Sequence, residues 1–321
     1  MHHLSERDTL MRVTWMYHVE GMTQEAVAAA FGIPRARVIR LLQRAVEEGL
    51  VSVQLSSEQF SCIKAANELR SEFGLKDAMV VPTPPDPGRL KHTLGKAGAL
   101  HLQRRLTDGI TVATAWGTTL LEVAKALKPQ RLESVSVVMM LGGLSRNLPA
   151  LNPNDIARRV AESVGGRMFS LFAPALVDDP ELRDLLMRDS NVRAPLELVR
   201  ASQVALIGVG TCEPSSTLLE TGVVSDFEMQ ALRAKGAVGD ILARFFGADG
   251  RPVESALNGR VVGLELDDLK GIPTTILVAG GEPKTRSILG ALRGGYVTDL
   301  ITDEASACRL LELGRSEAIV N

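Results

Sequence analysis

The chain has 321 residues, of which 45% are hydrophobic and 23% are charged, and its formal net charge is -2. This length suits about two domains, and this composition excludes a mainly disordered chain. The near-neutral total excludes a uniformly basic protein that coats nucleic acid, but it is compatible with a local basic patch.

The cysteines and the apolar runs define the expected compartment. Cys62, Cys212 and Cys308 stand singly, and an odd number without a CxxC pair cannot close a disulfide framework. No apolar run approaches the roughly 20 residues that span a bilayer, and residues 1–10 lack the basic and apolar regions of a signal peptide. We therefore expect a cytoplasmic protein with no membrane partner.

The first 55 residues predict a helix-turn-helix. The first helix has an apolar face at helical spacing, formed by Leu10, Val13 and Tyr17, and it should end near Glu20. Thr23 can cap a second helix over 24–31, and Gly32 ends that helix. A third helix then runs over 34–48, with Pro34 in its first turn, where the missing N–H costs nothing.

The third helix carries the local basic charge that a recognition helix needs. Its predicted inner residues are Val38, Leu41, Leu42 and Ala45. Residues 33–46 contain four arginines and no acid. Arginine can donate two hydrogen bonds to guanine or bind phosphates. We expect Arg35 and Arg40 at bases or backbone in the major groove, with Arg37 and Arg44 mainly on phosphates. The alternative is a solvated helix face on a protein-interaction domain.

Two short segments follow this motif. Val51, Val53 and Leu55 alternate as in a strand, which is either one arm of a wing or the start of a linker. Residues 56–75 then predict a helix that ends at Gly74. We expect this helix to help dimerise the protein, because a helix-turn-helix dimer can read two half-sites.

From residue 77 onward, short apolar or β-branched runs alternate with helical stretches. The predicted strands are 78–81, 110–115, 135–141, 168–172, 204–207, 261–264 and 275–279. This alternation predicts a mainly parallel sheet with helices on both faces. Ligands in such sheets bind beyond the carboxyl ends of the strands, so we expect a ligand site in the segments that follow them.

The segment after the strand 110–115 is a candidate phosphate site. Gly117, Thr118 and Thr119 bring backbone N–H groups, two hydroxyls and the positive end of a helix together. The same residue types also occur in ordinary turns and caps. Gly142 and Gly143 follow another strand, where they either make a turn or approach a ligand.

Two charged residues stand at similar places. Asp240 can accept hydrogen bonds from sugar hydroxyls, and Lys284 can pair with a phosphate. Taken singly, each also fits a surface ion or a helix cap. Their common placement beside predicted sheet ends favours a ligand site.

Six segments, in this order, resemble the SorC family of sugar-responsive bacterial regulators over nearly the whole chain. They are MTQEAVAAAFGIPRARVIRLLQRAVEEGLVSVQL at 22–55, AWGTTLLEVAKAL at 115–127, MLGGL at 140–144, IGVG at 207–210, KGAVGDILARFF at 235–246 and VAGGEPKTRSILGALRGGYVTDLITDEASA at 278–307. The resemblance implies a small N-terminal all-α, winged helix-turn-helix domain. It also implies a large Rossmann-like α/β effector domain related to ribose-5-phosphate isomerase and glucosamine-6-phosphate deaminase, serving as a sensor.

The resemblance also implies roles for individual residues. The glycine and threonines at 117–119 would contact the phosphate, Asp240 and Lys284 would hold the sugar, and Thr217 is a further position at which relatives touch ligand. The expected effector-binding residues are Gly117, Thr118, Thr119, Gly142, Gly143, Thr217, Asp240 and Lys284. The expected DNA-contacting residues are Thr23, Gln24, Arg35, Ala36, Arg37, Arg40, Gln43 and Arg44.

These residues and the resemblance predict a DNA-binding transcriptional regulator of a carbohydrate catabolic operon. A phosphorylated sugar or polyol would control its binding to operator DNA, and the protein would be a homodimer or homotetramer. The expected domains are 1–55 for DNA binding, 56–75 as linker and oligomerisation helix, and 76–321 as effector domain.

The competing prediction is a sugar-phosphate isomerase or deaminase that carries a DNA-binding arm. Asp240, Glu282 and Lys284 would then supply acid–base groups. No histidine lies near the predicted strand-end loops, and the sequence has no recognisable nucleophile or metal arrangement. We therefore expect no catalytic residue, no cofactor and no metal.

Overall fold

The computed structural model of the protein describes residues 6–51, 57–143 and 153–318. Contacts divide the chain into two units, Met1–Ser56 and Ser57–Asn321. Among the described helices, none has the length and hydropathy that a membrane crossing requires.

The first unit contains the three predicted helices. They are α1 (Glu6–His18), α2 (Gln24–Phe31) and α3 (Arg35–Glu47). The Thr23 hydroxyl accepts a hydrogen bond from the Ala26 N–H at 3.2 Å, which caps α2 as predicted. Gly32 ends α2 with a φ of 62°, a left-handed conformation that favours glycine. Pro34 has extended backbone and stands immediately before α3.

The three helices share one apolar core, and the predicted inner residues of α3 are all in it. The buried members are Leu10, Val13, Val27, Ala28, Val38, Leu41, Leu42 and Ala45. Tyr17 and Phe31 pack against this core while partly exposed. Burial of these side chains fixes α2 and α3 against α1, because each helix alone is too short to be stable in water. The predicted strand at 51–55 lies almost wholly outside the described residues.

The second unit begins with α4 (Ser57–Phe73), which leads through Gly74 into β1 (Asp77–Val81). The α4 helix packs against β1 and against α13 (Glu304–Ala318), the last described helix. The Arg315 guanidinium donates a hydrogen bond to the Glu68 carboxylate at 2.7 Å between these helices. The α4 helix is thus part of the second unit, and its role in dimerisation stays a prediction.

Between β1 and α13 lie the other strands and α-helices of the second unit, in chain order. They are α5 (Leu90–Gln103), β2 (Thr111–Thr114), α6 (Thr118–Ala126), β3 (Ser136–Met139), α7 (Pro153–Val164), β4 (Arg167–Phe169), α8 (Pro180–Arg188), α9 (Ser190–Arg200), β5 (Val204–Ile207), β6 (Gly210–Thr211), α10 (Thr217–Glu220), α11 (Asp226–Ala234), β7 (Ala237–Ile241), β8 (Arg244–Gly247), β9 (Thr274–Val278), α12 (Thr285–Arg293) and β10 (Asp299–Asp303).

Seven strands form one parallel sheet in the order β1-β10-β9-β5-β2-β3-β4. The middle strands are buried on both faces, and β5 has four buried residues in succession. Such runs are typical of strands covered by helices on both sides. The predicted α/β fold class is confirmed. A second, antiparallel sheet has the order β6-β7-β8.

Three parts of the strand prediction need correction. The apolar run 261–264 is not a strand of either sheet: it makes isolated bridges to two different segments, Gly263 with Leu141 and Val261 with Leu176. The strand β10 was not predicted, because its acidic ends, Asp299 and Asp303, are untypical of a fully buried strand. The small sheet was not predicted either, and Asp240 lies inside its strand β7 rather than after a strand.

Candidate functional site

The order of strands in the large sheet reverses between β2 and β5. After β2 the chain moves outward through β3 and β4, and then it returns to β5 on the other side of β2 and continues to β9 and β10. The connections after β2 and β5 therefore leave in opposite directions and open a crevice between them. In open parallel sheets, ligands bind in such a crevice beyond the carboxyl ends of the strands.

The start of α6 forms one wall of this crevice. Gly117 precedes the helix with φ 145° and ψ 151°, a conformation nearly restricted to glycine, and no side chain caps the helix. The Leu121 N–H bonds back to the Gly117 carbonyl at 3.0 Å, whereas the N–H groups of residues 118–120 have no acceptor among the described residues. These free donors and the positive end of the helix suit an anion such as a phosphate.

The small sheet supplies the second wall. Gly210 of β6 pairs with Asp240 of β7, a residue that is only 4% exposed. A Cβ atom on Gly210 would collide with this carboxylate, so the close approach needs glycine. Asp240 Oδ2 accepts a hydrogen bond from the Ala243 N–H at 3.1 Å. Burial raises the pKa of Asp240 to about 6, while this hydrogen bond and Lys284 oppose the rise.

Lys284 reaches the same cleft from the loop after β9. Its backbone N–H donates to the Gly281 carbonyl at 2.9 Å in a short 3-10 turn, Glu282–Lys284. Burial lowers the pKa of Lys284 to about 8, and the neighbouring Lys91 lowers it too, whereas Asp240 raises it. No ion pair within 4.0 Å joins Lys284 to Asp240 among the described residues, so both charged groups are available to a ligand.

The cleft has an empty volume of about 580 Å³, its open mouth included. The residues that line it are Trp116, Gly117, Thr118, Thr119, Leu120, Gly208, Val209, Gly210, Thr211, Ser215, Ser216, Thr217, Leu218, Asp240, Leu242, Val278 and Lys284. Six of the eight predicted effector-binding residues are in this set. They come from four separate chain segments that only the folded sheet brings together.

Gly142 and Gly143 are not among the lining residues. Their N–H groups donate to the carbonyls of Val262 and Ala173, at 3.0 and 2.8 Å. A Cβ atom on Gly142 would collide with the backbone of Pro174. Packing and pairing therefore explain this glycine, and the structure does not place the pair with the other six residues.

Two serines of the loop before α10 were not among the predicted effector-binding residues. Ser215 and Ser216 line the cleft beside the predicted Thr217. The signal that could have found them is a short polar run, Glu213–Pro214–Ser215–Ser216, that follows a strand end and precedes a helix. The same signal occurs in many ordinary loops, so it gains weight only once the cleft is known.

The outer face of α3 is exposed as predicted. Arg35, Ala36, Arg37, Arg40, Gln43 and Arg44 are all exposed, and Thr23 and Gln24 lie at the start of the neighbouring helix. The Arg35 Nε atom lies 3.2 Å from the Gln24 Oε1 atom and 3.0 Å from the Glu25 carboxylate. Two predicted DNA contacts are thereby held next to one another.

The four arginines of α3 fall into two groups. Arg35 pairs with Glu25, and Arg44 pairs with Glu48 and with Glu6. Arg37 and Arg40 have no ion pair or side-chain hydrogen bond with any described residue. These two guanidinium groups are therefore free to bind phosphates or bases without first breaking an internal pair.

Comparisons with known proteins agree with this geometry. The family described as "Putative sugar-binding domain" matches residues 57–312. YjhU of Escherichia coli K12, described as an uncharacterized transcriptional regulator, is 35% identical over 95% of this chain and 94% of its own. The deoxyribonucleoside regulator of Bacillus subtilis is 33% identical over 92% of this chain and 95% of its own. The structure of full-length SorC, the sorbitol operon regulator of Klebsiella pneumoniae, aligns with a TM-score of 0.74 and 26% identity, covering 95% of this chain and all of that one (100%).

The first unit has three helices, of which the third is basic. The second is a sugar-binding α/β unit with a cleft where the strand order reverses. Together these features define a ligand-responsive transcriptional regulator. The chain belongs to the SorC family of such regulators. The relatives and structural neighbours named above are transcriptional regulators rather than enzymes. The competing prediction of a sugar-phosphate isomerase or deaminase is therefore rejected.

Proposed function

We propose that this protein regulates a carbohydrate catabolic operon and that a phosphorylated sugar or polyol, bound in the cleft, controls its affinity for operator DNA. The observation that carries the proposal is the composition of the cleft. Free helix N–H groups, the ammonium of Lys284 and the buried carboxyl group of Asp240 face one space. The first two suit a phosphate, and the third suits the hydroxyls of a sugar.

The α3 helix is the proposed DNA-reading element. Its free Arg37 and Arg40 are the first candidates for phosphate or base contacts. Arg35 and Arg44 would have to break their ion pairs with carboxylates before they could bind DNA. This division differs from the sequence-based expectation, which paired Arg35 with Arg40 at the groove. The reason is that ion pairs with α1 and α2 depend on tertiary packing.

A single three-helix unit reads one half-site, so the proposal includes a homodimer or homotetramer. It also places the protein in the cytoplasm, where operator DNA lies. The relatives named for deoxyribonucleosides and sorbitol support a small polyol or sugar as the effector class.

Fluorescence anisotropy with the DNA upstream of the protein's own gene tests the proposal. We expect a phosphorylated pentose or polyol to change the operator Kd by about 5- to 150-fold, the range of a typical coupling free energy of about 1–3 kcal/mol. Lys284→Met should abolish the response while leaving DNA binding intact. Arg40→Ala should weaken DNA binding while leaving sugar-phosphate binding intact. Absence of any shift of this DNA, with or without sugar phosphates, would refute the proposal.

A further inference from the structure

Four buried hydroxyl groups have no hydrogen-bond partner among the described residues. They belong to Thr114, Ser216, Thr285 and Thr302. Ser216 alone among these four lines the cleft that holds Asp240 and Lys284. A buried polar group without a partner costs free energy, so such a group in a binding cleft calls for an explanation.

The fold does not need this hydroxyl. The Ser216 N–H donates to the Glu213 carbonyl at 2.9 Å, and the Ser216 carbonyl accepts from the N–H groups of Leu219 and Glu220, each at 3.0 Å. The side chain precedes α10 but makes no capping hydrogen bond. The backbone thus fixes residue 216, while its 1% exposed side chain contributes no bond within the protein.

We propose that the Ser216 hydroxyl is an effector contact, which completes its hydrogen bonds only when a phosphorylated sugar or polyol occupies the cleft. This inference rests on the proposed function and adds a residue that selects the ligand. A hydroxyl can donate to a phosphate oxygen and accept from a sugar hydroxyl at the same time. A site that is built to satisfy such a group rejects ligands that leave it unpaired.

The inference predicts opposite effects of one substitution on two properties. Ser216→Ala should bind ribose 5-phosphate, or the tightest ligand among phosphorylated pentoses and tetritols, about five- to tenfold more weakly by isothermal titration calorimetry. The melting temperature of the ligand-free variant should equal or exceed that of the wild type, because the substitution removes a buried group that has no partner.

Thr302→Val is the matched control. It also removes a buried hydroxyl without a partner, but Thr302 lies within β10 and does not line the cleft. Its melting temperature should likewise equal or exceed that of the wild type, and its affinity for the same sugar phosphate should equal that of the wild type. Ser216→Cys keeps nearly the same volume with a weaker donor, and it should bind with an affinity between those of the wild type and the alanine variant.

Wild-type affinity in Ser216→Ala would overturn the inference and leave the proposed function standing. A lowered melting temperature together with wild-type affinity in Ser216→Cys would assign the side chain a structural role and would also overturn it. If the wild-type protein binds no phosphorylated sugar or polyol, both the inference and the proposed function fail.

Discussion

The carboxylate of Asp303 accepts a hydrogen bond from the backbone N–H of Gly281, with 2.9 Å between N and Oδ1. The same oxygen accepts from the Ser306 hydroxyl at 2.6 Å, and Oδ2 accepts from the Thr83 hydroxyl at 2.7 Å. Asp303 is fully buried. Because Gly281 in turn accepts from the Lys284 N–H, this carboxylate fixes the turn that carries the ammonium group to the cleft.

Asp303→Asn should weaken effector binding by about tenfold and should lower stability. The neutral amide weakens the hydrogen bonds that Gly281 and Ser306 donate to Oδ1, because a bond to a charged acceptor is worth about 1.5–3 kcal/mol and a neutral one about 0.5–1.5 kcal/mol. Calorimetry with ribose 5-phosphate and urea denaturation measure the two effects. Thr83→Val removes the Oδ2 contact without touching the 281–284 turn, so it should lower stability while leaving affinity unchanged. An equal loss of affinity in both variants would show that the network has no specific role in placing Lys284.

Arg37→Ala and Arg40→Ala should each weaken operator binding and reduce its salt dependence. If a guanidinium group neutralises one phosphate, its loss lowers the slope of log K against log salt by about 0.9. Anisotropy titrations over a range of salt concentrations measure the slope. Arg251→Ala removes the same charge from an exposed side chain of the second unit and serves as the control. A slope that stays at the wild-type value in both α3 variants would exclude phosphate contacts by these residues.

The free energy of unfolding should fall as the pH rises from about 4 to about 6, because Asp240 loses its proton over a different pH range in the folded and the unfolded protein. Burial raises its pKa from 3.8 to about 6, so the folded protein holds a proton that the unfolded chain releases in this window. The stabilisation is complete below the lower value and is lost as the pH passes the upper one, amounting to roughly 3 kcal/mol at about 1.36 kcal/mol per pKa unit.

Asp240→Asn tests this sign, because the amide stays neutral and can still accept from the Ala243 N–H. We expect the variant to match the wild type near pH 4 and to exceed its stability above about pH 6 in urea denaturation. Asp249→Asn makes the same exchange of a carboxylate for an amide at an exposed position and serves as the control. A variant that loses stability relative to the wild type as the pH rises would contradict the burial of a neutral carboxyl group.

Effector affinity should decline above about pH 8, because the ammonium of Lys284, with its pKa lowered to about 8, loses its charge there. The limiting slope is about tenfold per pH unit for one proton. Calorimetry from neutral pH upward measures it. Lys284→Arg keeps a charge at every pH tested and should flatten the profile. A decline of the same size in the arginine variant would assign the pH dependence to another group.

Much of the fold follows from local chemistry that the sequence displays. The cap at Thr23, the left-handed turn at Gly32 and the apolar spacing of α3 each depend on residues within one or two turns of helix, and all three are confirmed. The predicted strands 204–207 and 275–279 are also in the sheet, since buried parallel strands are continuous apolar runs. The strand β10 was not predicted because aspartates are usually exposed to solvent, and only the folded structure shows the partners that allow these two to be buried.

The sequence by itself determined the two kinds of unit and six of the residues that line the cleft, because caps, turns and periodicity act over short distances along the chain. Only the tertiary structure decided which of these residues meet. The pairing of Gly210 with Asp240 and the division of the α3 arginines into paired and free depend on contacts between segments far apart in sequence. Local patterns carry no information about such contacts, so the unpartnered hydroxyl of Ser216 became visible only in the folded chain.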